Sequence, residues 1–221
     1  GVWVLRTAGG EELEADVVIS SLGQLNRPQV PDLPGLDEFA GTTFHSARWR
    51  HDHDLEGRRV AVVGSAASAV QLVPRIAEQT ERLYVFQRSA NWIIPKPNRP
   101  YPAAAKARMR RHRWLVAARR AGIYWTYEAR FLAFRRDSRV APLMERFARA
   151  FLATQVPDPE LRTALTPTDP IGCKRILAAS DYYPALLGDH LELVTVPIER
   201  VAPGGIRTAD GDLRGVDTII F

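Results

Sequence analysis

Val60-Ala-Val-Val63-Gly64-Ser-Ala-Ala-Ser-Ala69 is the stretch whose reading decides the fold. Four aliphatic residues in a row suit a strand covered on both faces, and the Gly that ends the run marks the turn into a helix. Val70, Leu72, Val73 and Ile76 then recur at roughly helical spacing, which predicts a helix from Ser65 to about Glu78. Leu83-Tyr-Val-Phe86 reads as the next strand. Strand, Gly turn, helix and strand in that order open a dinucleotide-binding βαβ unit, so the expected class is α/β with a Rossmann-like domain.

In the usual G-x-G-x-x-G/A loop the first Gly makes the turn. The second lets the backbone approach a pyrophosphate, and the third position packs helix on strand. Here Gly64 holds the first place, Ala66 the second and Ala69 the third. Ala66 puts a methyl where the ligand is expected. Ser65 and Ser68 offer hydroxyls beside the first helical amides, and Gln71 is grouped with them as a cofactor-binding candidate. The second strand runs into Gln87-Arg88-Ser89, where an NAD site carries an Asp or Glu for the ribose hydroxyl. A guanidinium there would repel nothing on a 2′-phosphate and could grip it through paired charge-assisted bonds, which favours NADPH over NADH. A solvated loop arginine is the alternative.

The chain has 221 residues, 46% hydrophobic and 25% charged, enough to bury a core as one or two domains. It shows no signal peptide and no apolar run near the length of a membrane span. The single cysteine, Cys173, excludes an internal disulfide and suits a reducing, cytoplasmic compartment. A net charge of +5 fits an anionic ligand without choosing one. Lys106, Arg108, Arg110, Arg111, Arg113, Arg119 and Arg120 interleave with Trp114, Tyr124, Trp125 and Tyr127, a mixture that can bind nucleic acid or an anionic membrane surface. With no recognition motif beside it, a solvated face with inward-packed aromatics is expected, and no nucleic-acid partner is assigned. His51-Asp-His-Asp54 has no second cluster to complete a coordination shell, so it reads as a solvated turn and no metal is expected.

One internal repeat bears on organisation. Arg6-Thr-Ala8, Gly10, Asp16 and Val17-Val-Ile19 recur as Arg207-Thr-Ala209, Gly211, Asp217 and Thr218-Ile-Ile220. Each copy reads as a hairpin with a Gly-bearing turn followed by a buried strand, either by chance or because two related domains end in the same meander and strand. On the second reading the chain is the middle of a longer protein. Residues 1–23 would then end the first part of a flanking, incomplete domain, and residues 24–57, rich in Pro, would be a linker. Residues 58–98 and 170–221 would form the dinucleotide domain with its three-stranded β-meander. Residues 99–169, entered through Pro95, Pro97, Pro100 and Pro102, would be an α-helical insertion.

Phe39-x-Gly41-x-x-x-His45-x-x-x-Trp49, just upstream of the Gly64 turn, resembles the fingerprint of the Baeyer–Villiger and related class B flavoprotein monooxygenases. Gln87-Arg-Ser-Ala-Asn-Trp92 and Gly172-Cys-Lys-Arg-Ile-Leu177, followed by Asp181-Tyr-Tyr-Pro184, are similar to further segments of that family. Arg50, where the family usually has Pro or Asp after the Trp, departs from the strict Baeyer–Villiger pattern. The resemblance covers essentially the whole chain and implies an NADPH domain flanked by parts of an FAD domain, the residues 1–23 among them. It implies that Lys174 helps bind the 2′-phosphate, that Arg175 sits by the flavin and nicotinamide and stabilises the negatively charged flavin peroxide, and that Gly23 lets the chain turn near the cofactors. For His45 it points to coupling of domain motion to coenzyme binding, beside the plainer reading of a hydrogen-bonded structural histidine; Trp49 reads as a packing anchor. The implied reaction is NADPH- and O2-dependent oxygenation of a small organic ketone, thioether or amine, with FAD as the oxygen-activating cofactor. Without an amino-terminal Gly-rich FAD loop, the chain by itself is expected to hold no FAD and to be inactive. Alternatives are another two-dinucleotide-domain flavoenzyme, such as an amine N-hydroxylase, and a non-enzymatic paralogue that binds through its Arg-rich helices. Oligomeric state is not legible.

Overall fold

The computed structural model describes residues 1–23, 26–96, 99–135 and 138–221, and falls into two units, Gly1–Val30 and Pro31–Phe221. Pro97, one of the four prolines expected to break regular structure, lies outside the described residues.

The first unit is a hairpin, β1 (Trp3–Arg6) on β2 (Glu12–Ala15), antiparallel with Trp3 opposite Ala15. Its turn closes with Gly10 at φ +85°, the Thr7 amide donating to Glu11 O at 2.9 Å and the Gly10 amide to Thr7 O at 3.0 Å. The expected strand at Val17-Val-Ile19 does not form. Those residues are irregular and exposed, Ile19 at 84%, because no strand among the described residues pairs with them and an unpaired strand leaves its amides to water.

In the second unit, β3 (Thr42–Phe44) precedes β4 (Arg59–Val63), α1 (Ala67–Ile76) and β5 (Arg82–Phe86). After β6 (Ile93–Ile94) come the helices α2 (Ala103–Arg111), α3 (Arg113–Ala129), α4 (Ala141–Gln155) and α5 (Pro159–Ala164). The chain returns through β7 (Leu177–Ala178), α6 (Tyr182–Ala185) and β8 (Leu191–Val194), and ends with β9 (Ile198–Ala202), β10 (Gly205–Thr208), β11 (Leu213–Gly215) and β12 (Thr218–Ile220).

Five strands form a parallel sheet in the order β3-β12-β4-β5-β8. Alternation along β4 assigns its two faces: Val60 and Val62 pack with Val70, Val73 and Ile76 of α1, whereas Ala61 packs with Ile219, Val201 and Ile206. The second of these layers is the antiparallel sheet β11-β10-β9. Burial on both faces is why β4 carries no polar side chain between Val60 and Val63. The α1 helix is shorter at each end than expected, starting at Ala67 and stopping at Ile76.

The stretch read as a linker supplies β3, which pairs with β12 from Thr42–Thr218 to Phe44–Ile220. A proline-bearing approach hides a three-residue edge strand whose Phe44 is 8% exposed. The second copy of the repeat makes the same turn as the first: Gly211 at φ +91°, the Thr208 amide donating to Asp212 O at 3.0 Å and the Gly211 amide to Thr208 O at 2.9 Å. The aromatics of α3 do not pack inward. Trp114 is 66% exposed and Trp125 68%, and no residue of α3 is buried.

The His51–Asp54 turn is not wholly solvated. His53 Nε2 lies 2.8 Å from the hydroxyl of Thr218, a fully buried residue of β12, while Arg50 pairs with Asp52. Burial, then the neighbouring Arg58 and Arg50, lower the His53 pKa below its ordinary value. A folded state that resists protonating this imidazole is fully stable above the unfolded histidine's pKa of about 6.5 and loses stability as pH falls below it. Denaturant midpoints measured from about pH 8 to 5 should therefore fall toward acid, and His53→Gln should flatten that slope.

Candidate functional site

At the carboxyl end of β4 the chain turns through Gly64, whose φ is +118° and whose amide donates to Phe86 O at 2.9 Å. A Cβ built on Gly64 would meet nothing within 4 Å, so the space over the turn is open. Ala66, in extended backbone, precedes the first helical residue Ala67 and contributes no side-chain cap, which leaves the first amides of α1 without a side-chain acceptor of their own at that place. Ala69 is buried, as the third position of the loop requires for close helix–strand packing.

The turn borders a cleft of about 620 Å³. Gly64, Ser65 and Ala66 form one side; Gln87, Arg88, Ser89 and Asn91, after β5, form the next; Lys174 and the Thr195–Ile198 segment after β8 complete it, with Pro31 and Leu33. The segments after β4, β5 and β8 lie beyond the carboxyl ends of parallel strands, where ligands bind in open α/β sheets. Of the residues singled out from sequence, Gly64, Ser65, Ala66, Arg88, Ser89 and Lys174 come together here. Ser68 is exposed on the first turn of α1 and Gln71 donates to Ala67 O of its own helix at 2.9 Å; neither lines the cleft. Arg175 is exposed, next in sequence to Lys174, and does not line it either. Gly23 belongs to the first unit, at φ +70°.

A network of short bonds fixes the rim. Ser65 is 7% exposed, with its hydroxyl donating to Ser89 O at 3.3 Å, so it braces the turn; Asn91 Nδ2 donates to Ser65 O at 3.0 Å. Lys174 Nζ donates to Ser89 Oγ at 2.9 Å and pairs with the carboxylate of Asp169, whose carbonyl accepts from the buried Trp92 indole at 2.9 Å. Gln87, standing where a ribose-binding acid is usual, is buried and donates instead to Ala164 O at 2.9 Å, at the last residue of α5. Arg88 is exposed. Asn91, Asp169 and the Thr195–Ile198 wall escaped the sequence reading. Position after a parallel strand would have flagged Thr195, whereas nothing in the sequence singles out Asp169.

The fingerprint residues hold β3 and its flanks. A Cβ on Gly41 would lie 2.4 Å from Asp217 O and 2.6 Å from the Phe39 ring, so only Gly fits under that ring. Phe39 packs against the core that contains Val201 and Ile219. His45 Nδ1 accepts from the Ala47 amide at 3.0 Å, which places the proton of a neutral ring on Nε2, and the next amide, Ser46, donates to Phe221 O at 2.6 Å. Trp49 meets Phe44 edge-on with centroids 5.1 Å apart, the packing anchor expected of it. No group of His, Cys, Asp and Glu suited to a metal occurs among the described residues, and none of their helices is long and apolar enough to cross a membrane.

A family model described as flavin-binding monooxygenase-like matches residues 2–131. The chain is 42% identical over 220 residues to a Baeyer–Villiger monooxygenase of Pseudomonas aeruginosa, aligning all of this chain with 42% of that protein. Among solved structures, an oxidized steroid monooxygenase bound to NADP superposes with a TM-score of 0.80 at 32% identity, over 99% of this chain and 49% of that one. OTEMO in complex with FAD and NADP gives 0.80 at 28% identity, over 99% and 49%. The chain thus spans less than half the length of each of these relatives.

Two glycines separate crowding from backbone strain. Gly41→Ala should lower the unfolding free energy by about 1–3 kcal/mol through overpacking alone. Gly64→Ala should lose a similar ~1–3 kcal/mol through its positive φ although its surroundings are open. Urea denaturation of both variants, with a crystal structure of each, checks this: displacement of Phe39 is expected in the first and an altered turn in the second.

Proposed function

Because the chain belongs to the flavin-binding monooxygenase-like family, we propose that it provides the NADPH site of an enzyme that uses FAD and O2 to add one oxygen atom to a small organic ketone, thioether or amine. In this reading residues 58–98 and 170–221 are the NADPH domain, 99–169 its helical insertion, and 1–23, with Gly23, part of the FAD domain. The observation that carries the reading is the convergence of Arg88 and Lys174 on the cleft beside the Gly64 turn.

The cleft suits this coenzyme in charge and shape. The open space over Gly64 and the uncapped amides of α1 accept a pyrophosphate, which a helix amino-terminus favours by its partial positive charge. The Ala66 methyl lines the cleft without filling it. A planar guanidinium after β5 and an ammonium before β7 give a dianionic 2′-phosphate two cationic partners, and with Gln87 turned away to Ala164 no carboxylate stands at the ribose position to bind NADH in its place. Bound NADPH would supply a hydride and bound FAD the oxygen-activating chemistry. The chain's own residues do the holding: Ser65 and Asn91 keep the turn in register with the Arg88 rim, and Ser89 orients Lys174. Arg175, exposed beside Lys174, is the residue we assign to face the flavin and stabilise negative charge there. The Ser46 amide, next to His45, donates to Phe221 O beyond β12, and Trp49 packs on Phe44, whose carbonyl accepts from the Phe221 amide, so a shift of this segment would be felt at the end of β12.

Arg88→Ala tests the reading. Removing one charge-assisted grip should weaken NADPH binding about tenfold or more and leave NADH binding within about threefold. Calorimetric titration of both coenzymes measures it, and equal losses for the two would refute the 2′-phosphate assignment.

A further inference from the structure

Asp169 is the one carboxylate that pairs with a cation of the cleft among the described residues. It is held from two sides. Its carbonyl accepts from the indole of Trp92, a residue 3% exposed, so its backbone is fixed against the core of the helical insertion. Its carboxylate pairs with Lys174, whose Nζ simultaneously donates to Ser89 Oγ at 2.9 Å. Lys174 lines the cleft and Asp169 does not, so the carboxylate meets the ammonium from outside the ligand space. Both side chains are partly exposed, 35% for Lys174 and 44% for Asp169, and such a pair is weakly stabilising and readily exchanged for another anion.

We propose that Asp169 is a specificity-determining residue that competes with the coenzyme's 2′-phosphate for Lys174. This rests on the NADPH reading above and adds to it an opposing charge. With Asp169 in place the ammonium is already half satisfied. An incoming phosphate must share or displace that partner and is also repelled by the carboxylate. NADH, lacking the phosphate, meets no such competition. Asp169 therefore moderates the preference that Arg88 and Lys174 create, and it favours release of the phosphorylated coenzyme. It acts through Lys174 and does not touch the reacting atoms.

The test is a double-mutant cycle on the full chain, with NADPH and NADH titrated calorimetrically at low and high salt. Asp169→Asn keeps the size and hydrogen bonding of the side chain and removes its charge. It should tighten NADPH binding by about two- to fivefold, the scale of a half-exposed ion pair, and leave NADH binding unchanged. The gain should shrink at high salt, since it is electrostatic. Lys174→Met should weaken NADPH alone, and in the Lys174→Met background the Asp169→Asn gain should vanish. If Lys174→Met loses NADPH affinity as expected but Asp169→Asn does not raise it, the competition is refuted while the NADPH reading stands. If Lys174→Met leaves the NADPH-to-NADH ratio unchanged, both are overturned. Equal changes for the two coenzymes in Asp169→Asn would show a structural effect and also overturn the proposal.

Discussion

The site depends on a two-residue parallel pairing, β6 with β7, in which Ile93 lies opposite Leu177 and Ile94 opposite Ala178. The Leu177 amide donates to Trp92 O at 2.8 Å and the Ala179 amide to Ile94 O at 3.0 Å, so the helical excursion leaves and re-enters the domain at one place. Without that neck, Lys174 and Ser89, 85 residues apart, would have no reason to meet. Gly172 tightens the neck. At φ +97°, with a Cβ position 2.6 Å from the Phe134 ring, it lets the returning strand run directly beneath the insertion.

Rigidity in the rest of the cleft comes from backbone acceptors more than from ionic contacts. Ser65, Asn91, Gln87 and Trp92 all donate to main-chain oxygens, which cannot change rotamer, and three of the four are nearly buried. Of the cations on the rim, Arg88 is exposed and Lys174 is partly exposed, the latter held by Ser89 and Asp169.

The parallel core was legible because a strand covered on both faces must be aliphatic throughout, and Val60–Val63 and Leu83–Phe86 are. Arg88 was legible from its place after the second strand, Lys174 only through the family resemblance, since its partner Ser89 is remote in sequence. What escaped has physical causes. β3 is three residues long, too short to show a period of two. Val17–Ile19 has the composition of a strand, but pairing is a property of neighbours, which the first unit does not offer it. Ser65 lines the cleft as the loop pattern suggests, but its hydroxyl bond to Ser89 O could not be read from a sequence in which the two lie 24 residues apart. The α3 aromatics share one side of the helix, but burial needs an element to cover that side, which the helix's own sequence does not reveal.

The position of β12 carries a consequence for how the molecule assembles. This strand lies between β3 and β4, with Thr218 beside Val60 and beside Thr42, and Asp217 anchors Arg59 from 158 residues away. During synthesis β4 and β5 can pair early, yet one flank of β4 keeps unpaired amides until the segment that carries β12, with Asp217 158 residues beyond Arg59, has left the ribosome. Throughout that interval the nascent chain carries a sticky hydrophobic border that could recruit a neighbour, and its closure is a slow, long-range event that chaperones would have to wait for.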